Sequence, residues 1–73
     1  MIEEVAEDIL LVLLVHNVEN KEGWVGKDYL GIKVGEDIDD ALSFLEENGF
    51  IEIKEGNHFR ITKNGISYIL DRV

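Results

Sequence analysis

The 73-residue sequence contains no cysteine. That excludes disulfides, CxxC redox chemistry and thiolate metal sites. The absence assigns no compartment, although it suits a reducing cytoplasm. Its two histidines, His16 and His58, lie far apart with no ligand spacing around either. Basic residues are scarce, with seven Lys and Arg against sixteen Asp and Glu, giving a formal charge of −9. Such a balance repels phosphate backbones unless the basic side chains are segregated on one face. Long apolar runs are missing too. The longest, Ile9–Val15, spans seven residues, well short of the ~20 that a membrane span needs. The sequence starts with acidic residues, whereas a signal peptide wants a basic start. The reading is a soluble, cytoplasmic protein with no membrane partner.

Residues 1–73 read as one domain. A domain this small buries only ~60% of the surface its unfolded chain exposes. Small domains usually compensate with disulfides, a metal or a partner subunit. With no cysteine and no metal spacing, self-association is the reinforcement left open.

A first helix is predicted from Ile2 to Asn17. Glu3, Glu4, Glu7 and Asp8 crowd its start, where they complement the positive end of the helix dipole. Ile2, Val5, Ala6, Ile9, Leu10 and Leu13 form one apolar face. Leu11, Leu14 and Val15 extend the apolar surface around the far side. A helix apolar all round is either wrapped by its own chain or meets another, and Leu11, Leu14 and Val15 are the candidate homodimer contacts.

Asn17–Gly23 reads as a loop, followed by a very short strand at Trp24 and Val25. Trp24 reads as a core plug, with a ligand platform as the other reading. A brief helix from Gly26 to Leu30 is predicted to end at Gly31, and Ile32–Gly35 to turn into the main helix. There Val34, Ile38, Ala41, Leu42 and Leu45 keep the spacing of a core-facing stripe, and Asn48 and Gly49 stop it. Phe44 is either a flank of the core or an exposed aromatic contact.

Two antiparallel strands follow, Phe50–Lys54 and His58–Thr62. Pairing Ile53 with Phe59 and Ile51 with Ile61 gathers the apolar side chains on one face. Glu52 then faces Arg60, Lys54 faces His58, and Glu55-Gly56-Asn57 is left as a three-residue loop. A one-residue slip would mix the two faces, so the apolar pattern selects this register. Glycine and asparagine suit the positive φ angles of such loops. Thr62 is the expected N-cap of a last helix running from Lys63 to about Arg72.

This order of elements resembles the winged helix-turn-helix superfamily, of the small archaeal and bacterial regulator type. Tyr29-Leu30-Gly31-Ile32 looks like the "aLGI" end of the first helix of the helix-turn-helix. Ile38, Leu42, Leu45, Glu46, Glu47, Asn48, Gly49, Phe50 and Ile51 look like the "V…L..LeeaGlI" run from recognition helix into wing. Ile61-Thr62-Lys63-Asn64-Gly65, then Tyr68 and Ile69, resembles the "LTxxGxxyl" segment after the wing. The resemblance implies an α+β, mostly α, winged helix: a three-helix core, a two-stranded hairpin wing and a C-terminal helix. Most members bind DNA, many as dimers.

The departure lies on the recognition helix. Its outward face is expected to show Glu36, Asp37, Asp39, Asp40, Ser43, Glu46 and Glu47, whereas groove-reading helices carry basic or amide side chains. A carboxylate near phosphate meets like-charge repulsion of roughly 1 kcal/mol at 4 Å even in bulk water. Basic residues collect elsewhere, Lys54, Arg60 and Lys63 on the wing and just after it and Lys27 and Lys33 around the short helix, and Phe50–Val73 has a net charge of +1, from four basic and three acidic side chains. Two functions follow. In the first, Glu36, Asp37, Asp40, Ser43, Phe44 and Glu47 bind a basic protein partner, with the first helix dimerising. In the second, a transcriptional regulator contacts DNA through Lys54, His58, Arg60 and Lys63 of the wing. Family frequency favours the second and local charge the first, and the balance falls narrowly to the first. The spacing Glu36-Asp37-x-Asp39-Asp40 lacks the alternating ligands of a calcium loop. With no nucleophile–base pair, phosphate loop or metal constellation, no enzyme activity and no cofactor are expected.

Overall fold

The N-terminal apolar face folds as a long helix in the computed structural model, which describes residues 2–72, the Ile2 side chain excepted. This helix, α1 (Ile2–Glu19), buries Val5, Ala6, Ile9, Leu10 and Leu13. It is the hub of the fold, packing against every later helix and the last strand. The order continues with β1 (Val25–Gly26), α2 (Lys27–Val34), α3 (Asp39–Glu47), β2 (Ile51–Lys54), β3 (His58–Ile61) and α4 (Lys63–Leu70). The described residues form a mostly helical α+β structure with four helices and one three-stranded antiparallel sheet.

The second helix runs further than its glycine suggested. Gly31 lies inside α2, and the stop is Gly35. Gly35 takes a φ of +76°, and its N–H donates to the Gly31 carbonyl at 2.9 Å. A left-handed residue is what closes a helix, and of the two glycines only Gly35 adopts it. Val34 therefore ends α2 and does not open the stripe of α3. The third helix starts later for a related reason. The Asp37 carboxylate accepts the Asp39 N–H at 3.1 Å, a local bond that competes with helix formation. Glu36 and Asp37 consequently sit in the turn before α3 and not on its face. Ile38, Ala41, Leu42 and Leu45 are buried as the core-facing stripe.

The hairpin pairs Ile51 with Ile61, Glu52 with Arg60, Ile53 with Phe59 and Lys54 with His58. The register is the one the apolar alternation demands. In the loop the positive φ angles fall on Glu55 and Gly56, and Asn57 does not share them. The sheet has a third strand, because Val25 pairs with Phe59 and Gly26 with His58. It is thus wider than a two-stranded wing. At its far end Thr62 caps α4, its Oγ1 accepting the Gly65 N–H at 3.1 Å and donating to the Gly49 carbonyl at 2.6 Å. Gly65 is buried where α4 crosses Phe50, and a side chain there would fall on the Phe50 carbonyl. Stacking of Phe50 on Tyr68, with ring centroids 4.3 Å apart, closes that corner.

Candidate functional site

Three surfaces hold the residues singled out by sequence. The first is the outer side of α3. Ala41, Leu42 and Leu45 point into the core, and helical geometry turns Asp39, Asp40, Ser43, Glu46 and Glu47 outward, where all five are exposed. Glu36 and Asp37 are exposed in the preceding turn, so the acidic surface continues past the helix end. Phe44 stands at the edge of the stripe, half-buried and packed against the core. Its ring is the flank of the core.

Among the described residues, one cation is ion-paired with this acidic surface. Lys27, the first residue of α2, places its ammonium 2.8 Å from Asp39 Oδ1. The hydrogen bond and the charge of Asp39 raise the Lys27 pKa above 10.5; desolvation opposes them, and Asp37 and Asp28 add smaller contributions. The bridge joins the beginnings of α2 and α3. On one side of it an open groove between the two helices exposes Ile32 and is rimmed by Asp28, Glu36 and Asp37. On the other side, a second groove between α3 and the hairpin has Leu42, Ile53 and Phe59 along its floor. Apolar floors with carboxylate rims are suited to a basic segment that also carries apolar side chains.

The second surface is the charged face of the sheet. The Arg60 Nε donates to Glu52 Oε1 at 2.7 Å, and its Nη1 approaches the Glu22 carbonyl at 3.4 Å. Because Val25 pairs with Phe59, the preceding Trp24 falls beside Arg60. The indole is half-buried, with the Arg60 guanidinium 4.5 Å and the Lys54 ammonium 5.5 Å from its centroid. Trp24 is therefore a platform for the cations of the sheet, not a core plug. His58 Nδ1 lies 2.7 Å from Asn57 Oδ1, and Lys63 is exposed at the start of α4. Lys54, His58 and Arg60 are thus brought onto one sheet, but Arg60 is already matched by a carboxylate.

The third surface is the outer side of α1. Leu11 and Val15 are 39% and 55% exposed and Leu14 is half-buried. Leu11 and Val15 are not wrapped by their own chain, whereas Leu14 packs partly against the core. Val18, at 78% exposure, extends the same surface and lies beyond Asn17, where the sequence places the helix end. Sequence reasoning also misses the pairing of Lys27 with Asp39 and the cations seated on Trp24. Both depend on contacts between segments distant in sequence, and no local signal announces them.

Among the described residues, no group of three or more His, Cys, Asp or Glu side chains is placed to hold a metal ion. None of them forms a helix long and apolar enough to cross a membrane. No charged or polar residue is buried there, and no buried side-chain nitrogen or oxygen lacks a hydrogen-bond partner. Comparison with protein-family models, with curated proteins and with solved structures finds no match to this chain.

Proposed function

We propose that the chain is a winged-helix protein-interaction or regulatory module whose recognition-position helix, α3, binds a basic protein partner. The order α2, turn, α3, hairpin supports the winged-helix assignment, with β2 and β3 as the wing and β1 lying beside β3. The observation that carries the function is the sign of charge on α3. Its exposed face presents Asp39, Asp40, Glu46 and Glu47 around Ser43, with no Lys or Arg on the helix. In a DNA-reading winged helix this face enters the major groove. Here it would bring several carboxylates to phosphate, each repelled by roughly 1 kcal/mol at 4 Å in bulk water.

The internal pairing of cations favours the same reading. Arg60 is bound to Glu52 and Lys27 to Asp39, so one cation of the hairpin and the one beside α3 already have carboxylate partners. A basic partner has the opposite balance. It gains from Asp40 and Glu47, while its apolar side chains enter the grooves flanking α3. The rim charges then set specificity and association rate more than raw affinity.

The test is fluorescence anisotropy with a labelled Lys/Arg-rich amphipathic helical peptide at physiological salt. Asp40→Lys with Glu47→Lys is expected to weaken binding about tenfold or more, since tenfold is only about 1.4 kcal/mol. Glu3→Lys with Glu4→Lys, which alters total charge equally on α1, is expected to leave most of the affinity intact. Equal losses from both pairs would reduce the effect to net charge and overturn the assignment of α3.

A further inference from the structure

We infer that the outer face of α1 is an antiparallel two-fold interface with a second copy of this chain. Leu11, Val15 and Val18 stand at i, i+4 and i+7, which places them in one row along the helix. They are 39%, 55% and 78% exposed, and Leu14 is half-buried beside them. The fully buried residues of α1, Ala6, Ile9, Leu10 and Leu13, define the side that packs on the other helices and the sheet; this row lies on the opposite side, with Val15 at the border with α2. A helix face turned to solvent is ordinarily polar. This one is polar only at its two ends, where Glu4 and Asp8 at the start and Glu19 at the finish are exposed.

The arrangement identifies the occupant. A two-fold interface must be self-complementary, each patch meeting its own image. With the axis between Leu14 and Val15, Leu11 meets Val18 of the second copy, and Leu14 meets its Val15. Just past the end of α1, Lys21 of the second copy then lies toward Asp8. Both are exposed, and neither has an ion-pair partner within the described chain. A parallel pairing would instead stack the acidic starts of the two helices. One register therefore matches apolar side chains to apolar and an unpaired carboxylate to an unpaired ammonium, twice over. Tyr29, 41% exposed on α2 and edge-on to His16, widens the patch, with the Lys33 ammonium 5.8 Å from its ring centroid. The interface leaves the acidic face of α3 free on both copies.

Sedimentation equilibrium of the full chain at tens of micromolar tests this. The expected species has twice the 8.3 kDa chain mass. Val15→Glu is expected to give a monomer at the same concentration with an unchanged helical circular dichroism signal. Val18→Lys, at the most exposed position of the row, repeats that test without touching the core. Asp8→Lys is expected to weaken association several-fold, and adding Lys21→Asp to restore it. A wild-type mass of 8.3 kDa, or variants at positions 15 and 18 that keep twice that mass, would overturn the interface. A double charge swap that restores nothing would overturn the antiparallel register.

Discussion

Substituting alanine at two helical glycines gives opposite predicted signs, and the structure supplies the reason for each. Gly65 is buried in the first turn of α4. An added Cβ would fall on the Phe50 carbonyl oxygen, 2.8 Å from Ile61 Cγ1 and 3.1 Å from the Phe50 carbonyl carbon. Those carbonyl atoms are backbone and cannot swing aside. The oxygen also accepts the Thr62 N–H at 3.0 Å, so moving it strains the joint between the hairpin and α4. Overpacking of this kind costs about 1–3 kcal/mol and sometimes more. Alanine's better helix propensity returns at most about 1 kcal/mol. The steric term wins, and Gly65→Ala should lose roughly 2 kcal/mol. At 4–8 °C per kcal/mol for a domain this size, the melting temperature should fall by about 8–16 °C. Gly31, by contrast, is inside α2, and a Cβ added there would meet nothing within 4 Å. There the propensity term acts alone, and Gly31→Ala should gain about 0.5–1 kcal/mol. Thermal melts followed by circular dichroism decide this, run at one protein concentration because association shifts apparent stability. A Gly65→Ala protein as stable as its parent would refute the close approach. A destabilised Gly31→Ala would mean that α2 ends at Gly31 after all.

Other outcomes follow from single contacts. Thr62→Ala removes both the cap on Gly65 and the bond to the Gly49 carbonyl, and should cost about 1–2 kcal/mol in urea denaturation. Arg60→Ala uncovers the sole tryptophan. Its fluorescence emission should shift, while stability falls by only about 1 kcal/mol, the scale of an exposed cation–π contact. The Lys27–Asp39 bridge has an alkaline signature. Because the folded Lys27 pKa is raised above 10.5, its contribution is fully present below that value and is lost as pH rises through the folded pKa. The melting-temperature difference between the parent and Lys27→Met should therefore hold steady below pH 10.5 and close above it.

Some of this architecture is legible residue by residue. The hairpin register follows from Ile51 and Ile53 having to share a face with Phe59 and Ile61. The buried side of α1 is visible in its apolar spacing, and Thr62 announces the start of α4. The junction between α2 and α3 is not legible. Gly31 and Gly35 offer the same stop signal, and only the backbone angle distinguishes them. The start of α3 is obscured because the Asp37 carboxylate bonds the backbone two residues on, which apolar periodicity does not register. Trp24 escapes sequence reasoning for a different reason. Its surroundings depend on β1 pairing with β3, more than thirty residues later in the chain. The acidic character of the α3 face is plain from composition, whereas the groove on either side of it exists only once α2 and the sheet are in place.

Whether α3 faces a basic protein surface or enters a DNA groove is decided most sharply by titrating a labelled DNA duplex with the full chain across a range of salt concentrations. With α3 turned to protein, no micromolar binding is expected at physiological salt, and no appreciable change with Lys54→Glu or Arg60→Glu. Micromolar binding that weakens with salt and is lost on either substitution would contradict that role for α3 and assign the wing to nucleic acid.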